Sequence, residues 1–194
     1  MARYVLHLLP EPHRWVLNRH IDQCRFCQRI FHVMAESAAE LVFRGSEVPI
    51  SAEGKARIMK SIEDSAMAPI EAEDAIVEPT PSIEHEAWRW LVPGVRRAVI
   101  PTSGPGRLWL YELEPNRGLP HHGHDGLELT LILDGKLRVN DRVHIDNDLM
   151  VATADDTHQP RVEGSEPCRC LLALEGRVRL TSVFERILQR LLRI

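Results

Sequence analysis

His121-His122-Gly123-His124-Asp125-Gly126-Leu127-Glu128, running on as Leu129-Thr130-Leu131-Ile132-Leu133-Asp134-Gly135, is the stretch on which the reading of this chain turns. Side chains on a β-strand alternate faces, so residues two apart share a face. His122 and His124 therefore point the same way, and Glu128, of the same parity, joins them if the strand continues. Two imidazoles and a carboxylate converging from one strand make half of a site for a borderline divalent metal ion. A further ligand has to come from another strand, and His158 in Asp156-Thr157-His158-Gln159-Pro160 is the candidate. The segments between read as strands, with turns at Asp134-Gly135 and Asn147-Asp148.

The pattern H-x-H-x(3)-E with a distant His, and with Gly135 closing its first half, resembles the metal motif of the cupins. That resemblance implies a jelly-roll β-barrel holding an ion between inward-facing strands. The alternative is a histidine-rich polar turn ahead of an ordinary strand. Four matching positions weigh against it.

The 194 residues allow one large or two small domains, and 44% hydrophobic content is ordinary for a globular protein. A net charge of −4 argues against nucleic-acid binding by phosphate neutralisation. Nothing at the N-terminus looks like a signal peptide, and no apolar run approaches the ~20 residues that span a membrane. A cytoplasmic protein is expected. Its cysteines fall in two tight pairs, Cys24/Cys27 and Cys168/Cys170, which in a reducing compartment suggest metal or redox chemistry. Cys168 and Cys170 share one face of a strand-like run and are expected to be buried.

The N-terminal third reads as helices. Residues 2–9 suit a short helix stopped by Pro10, and Glu11-Pro12 suits the first turn of a second, running to about His20. His20, Cys24 and Cys27 stand at i, i+4 and i+7, so three metal ligands converge where one helix ends and the next begins. A third helix follows to about Phe43, with Ile30, Val33, Met34, Ala38, Leu41 and Val42 as its apolar stripe. Gly45 to Pro49 breaks it, and Ser51 caps a fourth helix from Ala52 to about Met67.

Residues 61–88 hold eight acidic residues and no Lys or Arg, with Pro69, Pro79 and Pro81 inside the run. This reads as a linker over 68–84, between a helical domain at 1–67 and a β domain at 85–194. Beyond Pro79 a loop laid on the barrel surface is an equal alternative. From Trp88 onward short strands are expected at Val95–Ile100, Arg107–Glu112, Glu128–Leu133, Lys136–Val139, Leu149–Thr153 and Cys168–Leu174. The strand from Glu128 is apolar on both faces, so its outer face needs something packed on it. Val183–Ile194 reads as a helix or a last strand.

The order of the two motifs resembles the ChrR-type anti-sigma factors, a zinc-binding anti-sigma domain followed by a cupin. His20, Cys24 and Cys27 match that family's H-x(3)-C-x(2)-C motif, and His122, His124, Glu128 and His158 match its cupin zinc ligands. The Cys168-x-Cys170 strand and the closing Arg193-Ile194 match as well. In the family a fourth zinc ligand of the helical domain is a His upstream of the first helix's Tyr. Aligning that Tyr with Tyr4 places the His before Met1. Otherwise His7, His13 or a solvent or partner ligand takes its place.

The resemblance implies zinc as cofactor and an extracytoplasmic-function sigma factor as partner. It also implies release of that factor on oxidative stress, by singlet oxygen or organic hydroperoxide, sensed through the cupin. No enzyme activity, direct nucleic-acid contact or membrane attachment is implied, and there is room for a homodimer. The apolar residues Val5, Leu8, Leu9, Trp15 and Val16 would supply the sigma-binding face, unless they form the domain's own core. The rival reading is a metal-dependent cupin enzyme of dioxygenase or isomerase type. A third is a cupin sensor whose helical part serves only dimerisation.

Overall fold

The computed structural model describes residues 2–43, 51–66 and 87–181. The acidic segment 68–84, the Gly45–Pro49 break and the Val183–Ile194 segment lie outside these residues. Among the described residues four helices precede twelve strands: α1 (Ala2–Val5), α2 (Glu11–Gln23), α3 (Arg25–Phe43) and α4 (Ala52–Ala66) come first. The first helix is shorter than the expected 2–9 for a local reason. His7 adopts a left-handed φ of 53°, the Leu8 amide donates to the Arg3 carbonyl, and the His7 amide donates to that of Tyr4. That bonding pattern is a Schellman ending, which satisfies the helix's last carbonyls one turn early. At α4 the Ser51 hydroxyl accepts from the Gly54 amide at 3.1 Å, the expected cap.

The strands are β1 (Arg89–Val92), β2 (Val95–Ile100), β3 (Arg107–Leu113), β4 (His122–His124), β5 (Glu128–Asp134) and β6 (Leu137–Val139). They continue as β7 (Arg142–His144), β8 (Leu149–Ala152), β9 (Thr157–His158), β10 (Pro160–Val162), β11 (Cys168–Leu174) and β12 (Val178–Leu180). All pairings are antiparallel. A six-stranded sheet in the order β1-β2-β3-β11-β5-β8 faces two three-stranded ladders, β10-β6-β7 and β12-β4-β9. The jelly roll is thus three ladders around one interior rather than a single continuous barrel. The six expected strands are all present. The additional strands are two to four residues long, too short to show a period of their own.

The large sheet has a core on each side. Facing inward are Trp109, Tyr111, Leu113, Ile132, Cys168, Cys170, Leu172 and Leu174, packed with Leu137, Val139 and Val162 of the smaller ladder. Facing outward are Ala98, Leu108, Leu110, Leu129, Leu131, Leu171 and Ala173, and helix α2 covers them with Val16, Leu17 and Ile21. The outer face of β5 therefore has its cover. On α2 the buried positions His13, Val16, Leu17, His20 and Ile21 follow the i, i+3, i+4, i+7, i+8 spacing of one helical face. Leu9 joins the same core. The helical segment and the β region are thus continuous through α2, whichever residue divides them.

The expectation for the exposed apolar face is corrected in part. Leu9 and Val16 are buried against the sheet, and Val5 and Trp15 are only half exposed, while Leu8 remains 60% exposed. An uncovered apolar stripe lies on α3, where Phe26, Ile30 and Val33 stand at i, i+4 and i+7 with exposures of 62%, 37% and 60%.

Candidate metal centres

His122 and His124 lie on β4 as anticipated, but the strand does not continue to Glu128. β4 pairs with β12 and β9, whereas β5 begins at Glu128 and pairs with β11 and β8. The chain changes ladder between them at Asp125-Gly126-Leu127. A Cβ at Gly126 would stand 2.7 Å from the Glu175 carbonyl oxygen, so the crossing needs glycine there. The shared direction of the three side chains comes from two ladders meeting, not from the parity of one strand. His158, on β9, is the direct cross-strand partner of His122.

The result is a buried cluster in which one donor atom from each of His122, His124, Glu128 and His158 lies within 4.8 Å of the others. Exposure is 4% or less for all four. His158 Nε2 stands 3.1 Å from His122 Nε2 and 3.2 Å from His124 Nε2. Glu128 Oε1 is 3.6 Å from His158 Nε2, and Oε2 is 3.4 Å from His124 Nδ1. The tautomer of His122 follows from its surroundings: Nδ1 sits 2.7 Å from the Pro120 carbonyl, which can only accept. Nδ1 therefore carries the proton, and a lone pair on Nε2 faces the cluster. Thr130 donates to Glu128 Oε1 at 3.3 Å, and Arg179 donates to the His124 carbonyl at 2.6 Å.

Burial sets the charges here. It lowers His124 and His158 to about 4, with His122 as the next contributor for each, and it raises Glu128 to about 8. At neutral pH the close His124–Glu128 contact is accordingly not an ion pair without a bound cation. The neutral imidazoles of His124 and His158 then crowd lone pairs against the Nε2 of His122, in gaps that hold one proton each at most. His124 Nδ1 and Glu128 Oε2 are buried without a hydrogen-bond partner. A divalent ion would resolve both features, so the donor set fits a metal. Its His3Glu composition suits zinc, iron or manganese.

The second cluster joins His20, Cys24 and Cys27, also with donor atoms within 4.8 Å. Cys24 is the single extended residue between α2 and α3, with φ −104° and ψ 96°, and this break turns its side chain toward the other two. His20 Nε2 lies 3.2 Å from Cys27 Sγ, while Nδ1 lies 2.8 Å from the Asn147 carbonyl in the β7–β8 turn. Again the carbonyl can only accept, which leaves a lone pair on Nε2 toward the thiols. The Cys27 amide helps hold the Cys24 thiol below the usual range, and burial pushes Cys27 up. Neither alternative fourth ligand from this chain joins: His7 is exposed, and His13 Nε2 is bonded to the Leu127 carbonyl at 3.0 Å. Cys168 and Cys170 are buried in the interior as expected, and burial raises Cys168 to about 12 and Cys170 well above its usual range.

The carbonyls of Pro120, Leu127 and Asn147 were not legible in the sequence, since every residue carries one. Thr130 was, because it shares the parity of Glu128 on β5.

The fold and the two clusters define a cupin-like β domain behind a helical segment, with a candidate metal-ligand set in each. Over its whole length the chain is similar to the Anti-sigma-E factor ChrR of Cereibacter sphaeroides, which is 28% identical over 202 aligned positions, covering 100% of this chain and 95% of the relative. The crystal structure of Rhodobacter sphaeroides SigE in complex with the anti-sigma ChrR matches over 90% of this chain and 94% of that one, at 29% identity and a TM-score of 0.71. An RmlC-like cupin protein from Ralstonia eutropha aligns over 48% of this chain and 65% of its own at 18% identity and a TM-score of 0.43. No protein-family model matches the chain. Among the described residues no helix is long and apolar enough to cross a membrane.

Proposed function

We propose that this protein is an anti-sigma factor that sequesters an extracytoplasmic-function sigma factor and releases it on oxidative stress sensed through the cupin. The observation that carries the reading is the whole-length match, in both sequence and structure, to ChrR, whose crystallised form is a complex with SigE. In this reading a helical domain over 1–67, a linker over 68–84 and a cupin over 85–194 act in the cytoplasm and without enzyme activity, with α2 packed on the cupin sheet. The stripe Phe26, Ile30 and Val33 on α3 supports the binding role, because uncovered apolar side chains at helical spacing suit a groove on a partner.

Zinc is the proposed ion at both clusters. His122, His124, Glu128 and His158 would hold one, and His20, Cys24 and Cys27 another with an outside fourth ligand. Bound there, zinc supplies a fixed positive charge without redox chemistry of its own. The test is co-expression with each extracytoplasmic-function sigma factor of the same genome, followed by metal analysis of what copurifies. A captured sigma factor and zinc near two per chain are expected, and a Phe26→Asp/Val33→Asp variant should lose the capture while keeping its metal. Failure to capture any sigma factor would end the anti-sigma reading.

A second reading, a metal-dependent cupin enzyme, is favoured by one observation. A largely apolar cavity of about 330 Å³, lined by Trp109, Tyr111, Leu119 and Leu172 among others, opens onto His122 and Glu128. Iron or manganese instead of zinc in the native protein, with turnover of an apolar substrate, would turn the balance toward it.

A further inference from the structure

Helix α2 carries two histidines one above the other on its buried face, His13 and His20, each bonded to a main-chain carbonyl of the β domain. A third tie lies at its start, where Glu11 Oε2 accepts from the amides of Ser103 and Gly104 and from the Ser103 hydroxyl at 2.7, 3.0 and 3.0 Å. The His20 bond is the informative one. It reaches 127 residues along the chain to Asn147 and occupies the ring nitrogen that does not face the thiols. A histidine that binds a metal through one nitrogen is oriented, and made more basic, by the acceptor on the other. For His20 that acceptor belongs to the cupin.

We propose that Asn147 is a positioning residue for the Cys24–Cys27 cluster, so that the cupin wall completes the N-terminal metal site. The proposal rests on the reading that this cluster holds a metal ion. The turn that presents the carbonyl is held in place by its own hydrogen bonds. Asn147 has a left-handed φ of 64°, a conformation asparagine tolerates and β-branched residues resist. Its amide donates to the Ile132 carbonyl at 2.8 Å, and the Ile132 amide donates to Asp148 at 3.1 Å, locking the turn to β5. Asp148 closes it from inside, accepting the Ile145 amide at 2.9 Å. β5 is the strand that begins with Glu128, one residue after the Leu127 carbonyl that takes His13. One strand and one helix therefore connect the two clusters through four hydrogen bonds. A change in the cupin cluster that shifts β5 moves the acceptor of His20, and by linkage filling either site alters the affinity of the other.

The test uses the full chain and zinc as probe ion, with site affinities from chelator competition and labelling rates of Cys24 and Cys27. Asn147→Gly keeps both the left-handed turn and the carbonyl, whereas Asn147→Val strains the turn and displaces it. Asn147→Val should weaken the N-terminal site by about 10- to 100-fold and speed labelling of both thiols, with Asn147→Gly close to the parent. The Nδ1-protonated form of His20, seen by NMR in the parent and the glycine variant, should be lost in the valine variant. Equal zinc affinity in parent and Asn147→Val overturns the positioning role while leaving the metal site standing. Loss of cupin zinc to the same extent as N-terminal zinc in that variant also overturns it, since general disruption would then be the cause. A parent protein that binds no ion at Cys24 and Cys27 overturns this inference together with the metal reading beneath it.

Discussion

Val16→Ala is the sharpest probe of how the helical segment is joined to the β domain. Val16 is completely buried, on the face of α2 that covers Leu129, Leu131, Leu171 and Ala173. The substitution deletes two methyl groups from that contact, a transfer loss of about 1.6 kcal/mol at roughly 0.8 per buried carbon. The wall behind it is sheet, which relaxes little, so a cavity of up to roughly 40 Å³ adds about 1 kcal/mol. Alanine is the better helix former and returns about 0.5 kcal/mol. The net expectation is a loss of about 2 kcal/mol, read as a shift of the urea midpoint at unchanged slope. Hydrogen exchange should locate the loss, with faster exchange in β5 and β11 as well as in α2, because the core is shared. A change within about 0.5 kcal/mol, the range of surface substitutions, would refute the docking of α2 on the sheet. So would a full-sized loss confined to α2 peptides.

The paired change His124→Ala/Glu128→Ala removes two of four donors and should abolish cupin metal, leaving one ion per chain by elemental analysis; full metal content in that variant would sink the ligand assignment. Chelation should speed labelling of Cys24 and Cys27 in native protein while Cys168 and Cys170, buried with raised thiols, stay slow. Identical rates for the first pair before and after chelation would mean no ion protects them. Gly135→Ala meets a φ of +84° and places a Cβ 2.3 Å from the Pro167 carbonyl oxygen, so a loss of at least ~2 kcal/mol is expected in thermal or urea unfolding. A variant as stable as the parent would mean that the β5–β6 turn is not the one described.

The resemblance and the two candidate donor clusters were legible largely because most of their residues fall in short-range patterns. His20, Cys24 and Cys27 fall within two helical turns. His122, His124 and Glu128 fall within seven residues, and His158, thirty residues on, was marked by the resemblance to the cupin motif. Strand parity alone does not place Glu128 beside the two histidines. Parity along one strand would have placed it correctly only if that strand continued, and the chain instead changes ladder at Gly126. The residues short of a period, such as β9 and β10, escaped for a related cause: two or three residues cannot display alternation.

Local chemistry therefore determined the helices, the longer strands, the turn residues and which side chains could serve as metal donors, since each depends on neighbours a few positions away. Non-local pairing decided the rest. That Leu129 and Leu131 face a helix while Thr130 and Ile132 face the interior is set by where α2 docks, and the sequence is apolar on both faces of β5. That Val16 is core while Phe26 and Val33 remain uncovered is likewise a tertiary outcome, because amphipathic spacing marks a face without naming what covers it. Least visible of all was the bond from His20 to Asn147, since its acceptor is a backbone carbonyl that any residue possesses and only the folded chain brings within reach.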